Sequence, residues 1–486
     1  MDILTQLKAD GWLRQANAIG GMWCDADDGR QASVTNPATG AAIGTIAWSG
    51  AAETRAAIEA AQATFRTWAM TTAQQRAEAL SRMAAVIRDH ADLLAAMLTL
   101  EQGKPLAEAK GEILIGASYV QWFAEEARRV NGEIIPSPWK DRQILVTREP
   151  VGVVAAISPW NFPFSMLARK IAPALAAGCT VVVKPSELTP YCGLVWAVLA
   201  EKAGMPAGAV NVVTGDAVAI GAELTDNRLV RKLTFTGSTR VGKLLYAQSA
   251  ATMKKVSMEL GGNAPFIVFD DADLDRAVEG AIAAKFRNSG QTCVCTNRFY
   301  VQDGIYDAFA ARFVERVKTL KVGNGFEPGV EQGPLINDAA VDKVLAHVED
   351  ACARGGTVAT GGGRHALGGT WVEPTVILNA TQDMLVAREE TFGPLAALFR
   401  FTDEQDGVNA ANATDLGLAA YFYTRDLSRA FRVARALETG MVGINEGLIT
   451  TEVAPFGGVK DSGIGREGSM LGIQEFLQVK YLSLGL

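Results

Sequence analysis

Histidine is scarce: three residues in 486, His90, His347 and His365, none near a cysteine or carboxylate cluster at ligand spacing. Zinc centres and histidine-based triads therefore lack their usual ligand or base, no metal site is expected, and any general base should be a carboxylate or a lysine. Basic charge is not in excess either. The 46 Lys plus Arg against 53 Asp plus Glu leave a net charge of -7, which gives no general attraction to nucleic acid or anionic lipid. Apolar runs such as Ile171 to Val183 are broken by Pro and Gly well short of the roughly 18 residues that span a bilayer, so no membrane partner is expected. The start, Met1-Asp2-Ile3-Leu4-Thr5-Gln6-Leu7-Lys8, has neither the basic beginning nor the apolar stretch of a secretory leader. Six cysteines spread over this length, two of them only two apart, do not form a disulfide framework. The expected setting is a soluble protein in a reducing cytoplasm.

What the chain does have is length and apolar content. At roughly 150 residues per domain it allows about two to four domains, and 49% hydrophobic with 20% charged residues reads as globular. From about Ala51 to Glu126 it is Ala-rich with helical periodicity, as in Ala79, Met83, Val86, Ile87 and His90, Leu93, Leu94, Met97, which predicts several packed helices. Gly132-Glu133-Ile134-Ile135-Pro136-Ser137-Pro138 breaks that pattern, and Gln143 to Glu149 alternates like an exposed strand, a ribbon that could pair with another subunit. From Val151 short apolar strands alternate with helices, the pattern of a parallel sheet with helical crossovers. The strands are drawn at Gly152 to Ser158, Thr180 to Lys184, Val210 to Thr214 and Lys232 to Thr236, with helices starting near Phe164, Thr189, Ala217 and Arg240. This is a doubly wound, nucleotide-sized α/β unit. A second α/β block runs from Asn263 to about Asn445, with strands near Pro265 to Phe269 and Arg298 to Val301.

The segment richest in chemistry is Phe286-Arg287-Asn288-Ser289-Gly290-Gln291-Thr292-Cys293-Val294-Cys295. Val278, Ile282 and Phe286 share one helical face, Asn288-Ser289-Gly290 ends that helix, and Cys293 falls on the loop before a strand. A thiol presented there is a nucleophile once ionised, although a single cysteine is more often a small buried hydrophobe. Val256, Met258 and Leu260 alternate with Ser257 and Glu259, so a strand here points Glu259 away from its apolar face, and Gly261-Gly262 ends it. A carboxylate so placed can act as general base on water, unless it is an ordinary solvated glutamate. Gly237-Ser238-Thr239-Arg240-Val241-Gly242-Lys243-Leu244 nearly spells a P-loop but has Leu244 where Ser or Thr would bind magnesium. Its physical content is a strand, turn and helix whose N-terminal amides can face a pyrophosphate.

Gly290-Gln291-Thr292-Cys293 and Met258-Glu259-Leu260-Gly261-Gly262-Asn263 together resemble the signature of the aldehyde dehydrogenase superfamily. Pro159-Trp160-Asn161-Phe162-Pro163, Val183-Lys184-Pro185, Phe235-Thr236-Gly237-Ser238, Glu389-Glu390-Thr391-Phe392-Gly393-Pro394 and Pro455-Phe456-Gly457-Gly458 follow in the family's order over essentially the whole chain. The resemblance implies two doubly wound α/β domains plus a small β oligomerisation ribbon. Residues 1–125 with 149–260 would bind the dinucleotide, 261–455 would be catalytic, and 126–148 with 470–486 would join subunits into homodimers or homotetramers.

It also implies roles. Cys293 attacks the aldehyde, the Asn161 amide and the Cys293 backbone N–H hold the oxyanion, and Glu259 activates the water that hydrolyses the thioester. Trp160, Lys184, Glu187, Gly237, Ser238, Glu390 and Phe392 fall at cofactor positions. Lys184 reaches the adenosine ribose, Glu187 bonds its 2′- and 3′-hydroxyls and repels a 2′-phosphate, and Glu390 and Phe392 hold the nicotinamide ribose and ring; the cofactor is NAD, with NADP less favoured. Asn161 as a turn residue, Glu187 as a helix-capping acid and Phe392 as core packing are the plain alternatives.

Within the family the chain is most similar to dehydrogenases of succinate semialdehyde. Arg169 and Arg287 match carboxylate-binding arginines, since a guanidinium can grip a carboxylate with two hydrogen bonds. Thr450 stands where that branch has a serine, and Glu446 is an unexpected acid nearby. Glutarate and 2-oxoglutarate semialdehydes remain alternative substrates. Cys295 raises the further expectation of a strained, reducible bridge to Cys293. The rival readings are an acylating enzyme that passes the thioester to coenzyme A, which Glu259 opposes, and a non-catalytic structural or binding protein on the same fold.

Overall fold

The structure, a computed structural model, describes residues 3–486. The Ala-rich segment forms four helices, Ala51–Trp68, Ala73–Asp89, Ala91–Gln102 and Leu106–Glu126. The second begins at Thr72, whose hydroxyl accepts from the Gln75 N–H while the Gln75 side chain accepts from the Thr72 N–H, a reciprocal cap. The third ends at Gly103, which turns with φ 90°, a conformation open to glycine. Lys104 follows that turn, at the head of the fourth helix.

The first sheet has a parallel core in the spatial order Val210–Val212, Thr180–Lys184, Val153–Ile157, Val230–Thr236, Lys255–Glu259. Successive strands are laid first to one side of Val153–Ile157 and then to the other, so the winding reverses between that strand and Val230–Thr236. Ligands of doubly wound sheets bind outside the carboxyl ends of the strands at such a reversal. Register brings the ends level: Phe235 pairs with Ile157, Ile157 with Lys184 and Thr236 with Glu259. Consequently Trp160 and Asn161, Lys184 and Glu187, Gly237 and Ser238, and Glu259 all leave the same edge.

These strands are apolar on both faces because both are covered. Val154, Ala156, Val181 and Val183 join the core shared with the four helices, and Val153, Ala155, Ile157 and Val182 join a second core on the opposite face. One edge of the sheet is the hairpin of Asn17–Ile19 and Met22–Cys24. The other is Gly463–Ile464, antiparallel to Lys255–Glu259, so this sheet recruits chain from near the carboxyl terminus.

The second sheet runs Thr357–Thr360, Thr375–Leu378, Leu395–Phe401, Thr296–Gln302, Ala264–Val268, Ala419–Tyr423, Met441–Ile444, parallel except for the first strand. A separate antiparallel ribbon joins Glu133–Ile135, Arg142–Pro150 and Leu477–Gly485. Its last strand exposes Val479, Tyr481 and Leu484. Among the described residues no helix is long and apolar enough to cross a membrane.

Candidate active site

Cys293 sits on a loop that is rigid for identifiable reasons. Asp273 caps helix Leu274–Phe286, after which Asn288, Ser289 and Gly290 adopt left-handed conformations at φ 51°, 53° and 74°. Two consecutive non-glycine residues in that region are strained, and the surroundings hold them there. The Asn288 N–H donates to the Glu108 carboxylate at 2.8 Å, the Ser289 hydroxyl to the Gly333 carbonyl at 2.9 Å, and the Ile336 N–H to the Gln291 side-chain oxygen at 3.0 Å. Gly262 passes so close that a Cβ on it would lie 2.4 Å from the Cys293 carbonyl oxygen, so a larger residue there would displace the loop.

Two cavities meet at this loop. One, of about 410 Å³, is bounded by Trp160, Asn161, Gly237, Ser238, Glu390 and Phe392, among others; the second, of about 280 Å³, by Arg169, Arg287, Glu108, Phe162, Phe456 and Thr450. Cys293 and Met166 are the residues common to both. No histidine borders either.

Burial pushes the Cys293 thiol up to about 12; the neighbouring Glu390 and Glu259 charges push the same way, and Arg169 and Arg287 oppose them. The resting sulfur is therefore protonated. Asn161 is buried, and its side-chain amide donates one hydrogen to the Gln291 carbonyl at 3.0 Å. An amide nitrogen carries two, so the second remains to serve the cavity that Asn161 borders.

Glu259 is 2% exposed, and neither carboxyl oxygen has a hydrogen-bond partner. Val256, Met258 and Leu260 pack into the apolar core as the alternation requires, but the opposite face is not solvated. It meets a buried polar layer in which Lys170 bonds Thr234 and Glu467, and Lys232 bonds Ser257 and Glu475. The alternative of an ordinary solvated glutamate thus fails. Burial, and then repulsion from Glu467, raise the Glu259 pKa well above the usual carboxylate range, against the pull of Lys170, Arg169 and Arg466.

In the larger cavity Phe392 is half-exposed, at φ 58°, with its ring edge-on to Trp160 at 5.6 Å. It is not core packing. Glu390 accepts from the Gly262 N–H at 3.2 Å, and burial raises its carboxyl to about 7. Helix Thr239–Ala250 opens at the same cavity, with Ser238 as its cap. Lys184 and Glu187 do not border it; they form an ion pair of 3.0 Å at the end of the neighbouring strand. Helix Tyr191–Lys202 is capped at Pro190, so Glu187 is not a helix-capping acid.

In the smaller cavity Arg169 is almost fully buried, between the faces of Phe456 at 4.2 Å and Tyr119 at 4.8 Å. Its Nε and one terminal nitrogen have no hydrogen-bond partner, that nitrogen lying 3.8 Å from Glu467. Arg287 is half-buried over the Phe162 ring at 4.9 Å. Glu446 lies outside the cavity and accepts from the N–H groups of Gly447 and Leu448, a local turn role. The acids that do border it are Glu108 and Glu112, which sequence reasoning missed. A signal was present: Glu108 and Glu112 are spaced by four in helix Leu106–Glu126, and thus share a face.

All six cysteines are free thiols. Cys295 is buried and donates to the Lys285 carbonyl at 3.2 Å, so a bridge to Cys293 would require breaking that contact.

A doubly wound sheet whose strand ends face a loop-borne thiol at the meeting of two cavities is an arrangement suited to a nucleotide-dependent oxidoreductase. The aldehyde dehydrogenase family model matches residues 23–482, and the chain belongs to that family. It is 56% identical over 480 residues to a glutarate-semialdehyde dehydrogenase of Pseudomonas aeruginosa, with 99% of each chain covered. It is 57% identical over 482 residues to a 3-sulfolactaldehyde dehydrogenase of Pseudomonas putida, again with 99% of each covered. The NADP(+) succinate-semialdehyde dehydrogenase of Escherichia coli K12 is 55% identical over 481 residues, covering 99% of this chain and all of that one (100%). Among solved structures, a succinate-semialdehyde dehydrogenase from Burkholderia pseudomallei superposes with a TM-score of 0.97 at 59% identity, covering 98% of this chain and 99% of that one.

Proposed function

We propose that this protein oxidises an aldehyde bearing an anionic group at its far end, with succinate semialdehyde as the leading substrate and NAD as the preferred acceptor. The observation that carries this reading is the thiol shared by two cavities, one lined by Arg287 and by Arg169, whose Nε has no hydrogen-bond partner, and the other at a helix N-terminus beside the half-buried rings of Trp160 and Phe392. The relatives support the substrate class: their names specify aldehydes ending in a carboxylate or a sulfonate. Glutarate semialdehyde is the competing substrate.

The chain's groups divide the work as follows. The Cys293 thiol releases its proton to bulk water, its sulfur bonds to the aldehyde carbon, and the carbonyl oxygen takes the electron pair. The second Asn161 amide hydrogen and the Cys293 N–H stabilise that oxyanion. A nicotinamide dinucleotide bound in the larger cavity would supply the hydride acceptor; loss of hydride from the carbon leaves the Cys293 sulfur in a thioester. Trp160, Gly237, Ser238, Glu390 and Phe392 border a cavity fitted to that group, with helix-terminal amides for phosphate and aromatic faces for a ring. Glu259 then takes a proton from water, whose oxygen displaces the sulfur and gives the acid. Arg169 and Arg287 hold the far carboxylate, and Thr450 offers a hydroxyl beside them.

Nicotinamide reduction with succinate semialdehyde, glutarate semialdehyde and butanal is the direct test. Succinate semialdehyde is expected to lead and butanal to fail. Arg287→Met is expected to lower kcat/KM for the anionic substrates about 10- to 100-fold, the worth of hydrogen bonds to a charge, and to leave butanal unchanged. Equal use of butanal by the parent enzyme would rule out the anion pocket.

Glu187, paired with Lys184 at the strand end, supports NAD over NADP. The NADP(+)-linked relative makes this the point to test. Glu187→Ser is expected to raise the NADP-to-NAD ratio of kcat/KM about tenfold or more, since it removes a negative charge from the ribose edge; an unchanged ratio would place the discrimination elsewhere. The ribbon of Glu133–Ile135, Arg142–Pro150 and Leu477–Gly485, with Ile134, Val479 and Tyr481 exposed, supports assembly into homodimers or homotetramers.

A further inference from the structure

Lys104 is a buried cation that the reaction as described does not use. Its ammonium, with a side chain 0% exposed, makes an ion pair of 2.6 Å with Glu112, whose side chain is 1% exposed. It donates at 2.7 Å to the backbone carbonyl of Asn161 and sits 3.9 Å from the centre of the Phe162 ring. The Asn288 side-chain amide donates to the same Asn161 carbonyl at 3.0 Å and to the Gln291 carbonyl at 3.3 Å. The other Glu112 oxygen accepts from the Phe164 and Ser165 N–H groups at 3.0 and 3.1 Å, at the head of helix Ser165–Ala177. One buried ion pair thus fixes both sides of Asn161, its carbonyl and the helix that follows, and ties them to the loop that carries Cys293.

Removing two charges from water is costly, and buried ion pairs replaced by apolar residues of similar volume often leave a protein no less stable. A pair kept here is therefore better explained by geometry than by stability. We infer that Lys104, oriented by Glu112, is a positioning residue for the oxyanion site, holding the Asn161 peptide so that its side-chain amide faces the carbon bonded to Cys293. The inference rests on the oxyanion role of Asn161 proposed above.

Lys104→Met should slow the first turnover, read as the burst of reduced nicotinamide, about 100-fold, comparable to losing one oxyanion donor. Alkylation of Cys293 by iodoacetamide, a displacement in which no oxyanion forms, should change less than about threefold. The double variant Lys104→Met/Glu112→Gln removes both charges and keeps an acceptor for the Phe164 and Ser165 N–H groups; it should regain the parent's melting temperature and stay slow. Asn161→Ala combined with Lys104→Met should be no slower than Asn161→Ala alone. A fast first turnover in Lys104→Met, recovery of rate along with stability in the double variant, or fully multiplicative losses with Asn161→Ala would each overturn the inference. A fast Asn161→Ala enzyme would instead overturn the oxyanion reading beneath it.

Discussion

Glu259→Gln is expected to form one equivalent of reduced nicotinamide per chain in a rapid burst and then nearly stop, with steady turnover down about 10²- to 10⁴-fold, the usual worth of a positioned base. Asn161 and the Cys293 loop are untouched by this change, so thioester formation proceeds and only its hydrolysis loses the group that takes the proton from water. Glutamine is close in shape, and since neither carboxyl oxygen of Glu259 has a hydrogen-bond partner the change breaks no such bond, so the fold should survive. The parent's pH dependence follows from the same environment. Because burial and Glu467 raise the Glu259 pKa, the basic form appears only as pH rises through that raised value, and steady turnover should climb with pH above the ordinary carboxylate range. A Glu259→Gln enzyme with neither a burst nor turnover would place this residue before hydride loss; undiminished steady turnover would remove it from the reaction.

Cys293→Ala is expected to abolish the burst as well as turnover, to below about one part in 10⁴, since no other thiol borders the cavities. Intact-mass measurement after aldehyde and cofactor should show an acyl adduct on the parent and none on the variant. In the parent without ligands, the thiol pushed up to about 12 implies an iodoacetamide rate that rises about tenfold per pH unit from 7 to 10 with no plateau. A plateau near neutral pH would mean the thiol is ionised at rest. Residual turnover in Cys293→Ala would remove the covalent route altogether.

The parallel strands of the first sheet were legible in the sequence because each is a short apolar run between turn residues, and all four drawn there lie within about two residues of those observed. The strand of Glu259 was legible too, but not its surroundings. Alternation tells that a residue leaves the apolar face; it does not tell that the other face meets Lys170 and Glu467, which lie far away in sequence. Glu108 and Lys104 escaped for the same reason, since their partners Asn288 and Asn161 are 180 and 57 residues away. The Lys184 and Glu187 pair shows a different limit. Three-residue spacing brought the two together as an ion pair, and nothing in the sequence distinguishes that pairing from contact with a ribose.

Chain order gives the strand Gly463–Ile464 a consequence for synthesis on the ribosome. Phe456 closes one face of Arg169, Glu467 repels the charge of Glu259, and Gly463–Ile464 seals the sheet edge beside it, all within residues 456–467. Cys293 is translated some 160 residues before them. A nascent chain therefore carries its thiol beside an unfinished pocket until residues 456–467 have been added and folded, and activity should appear only after them. Chain-release variants ending near Ala454 would carry Cys293, Asn161 and Glu259 yet lack the surroundings that shift and orient them.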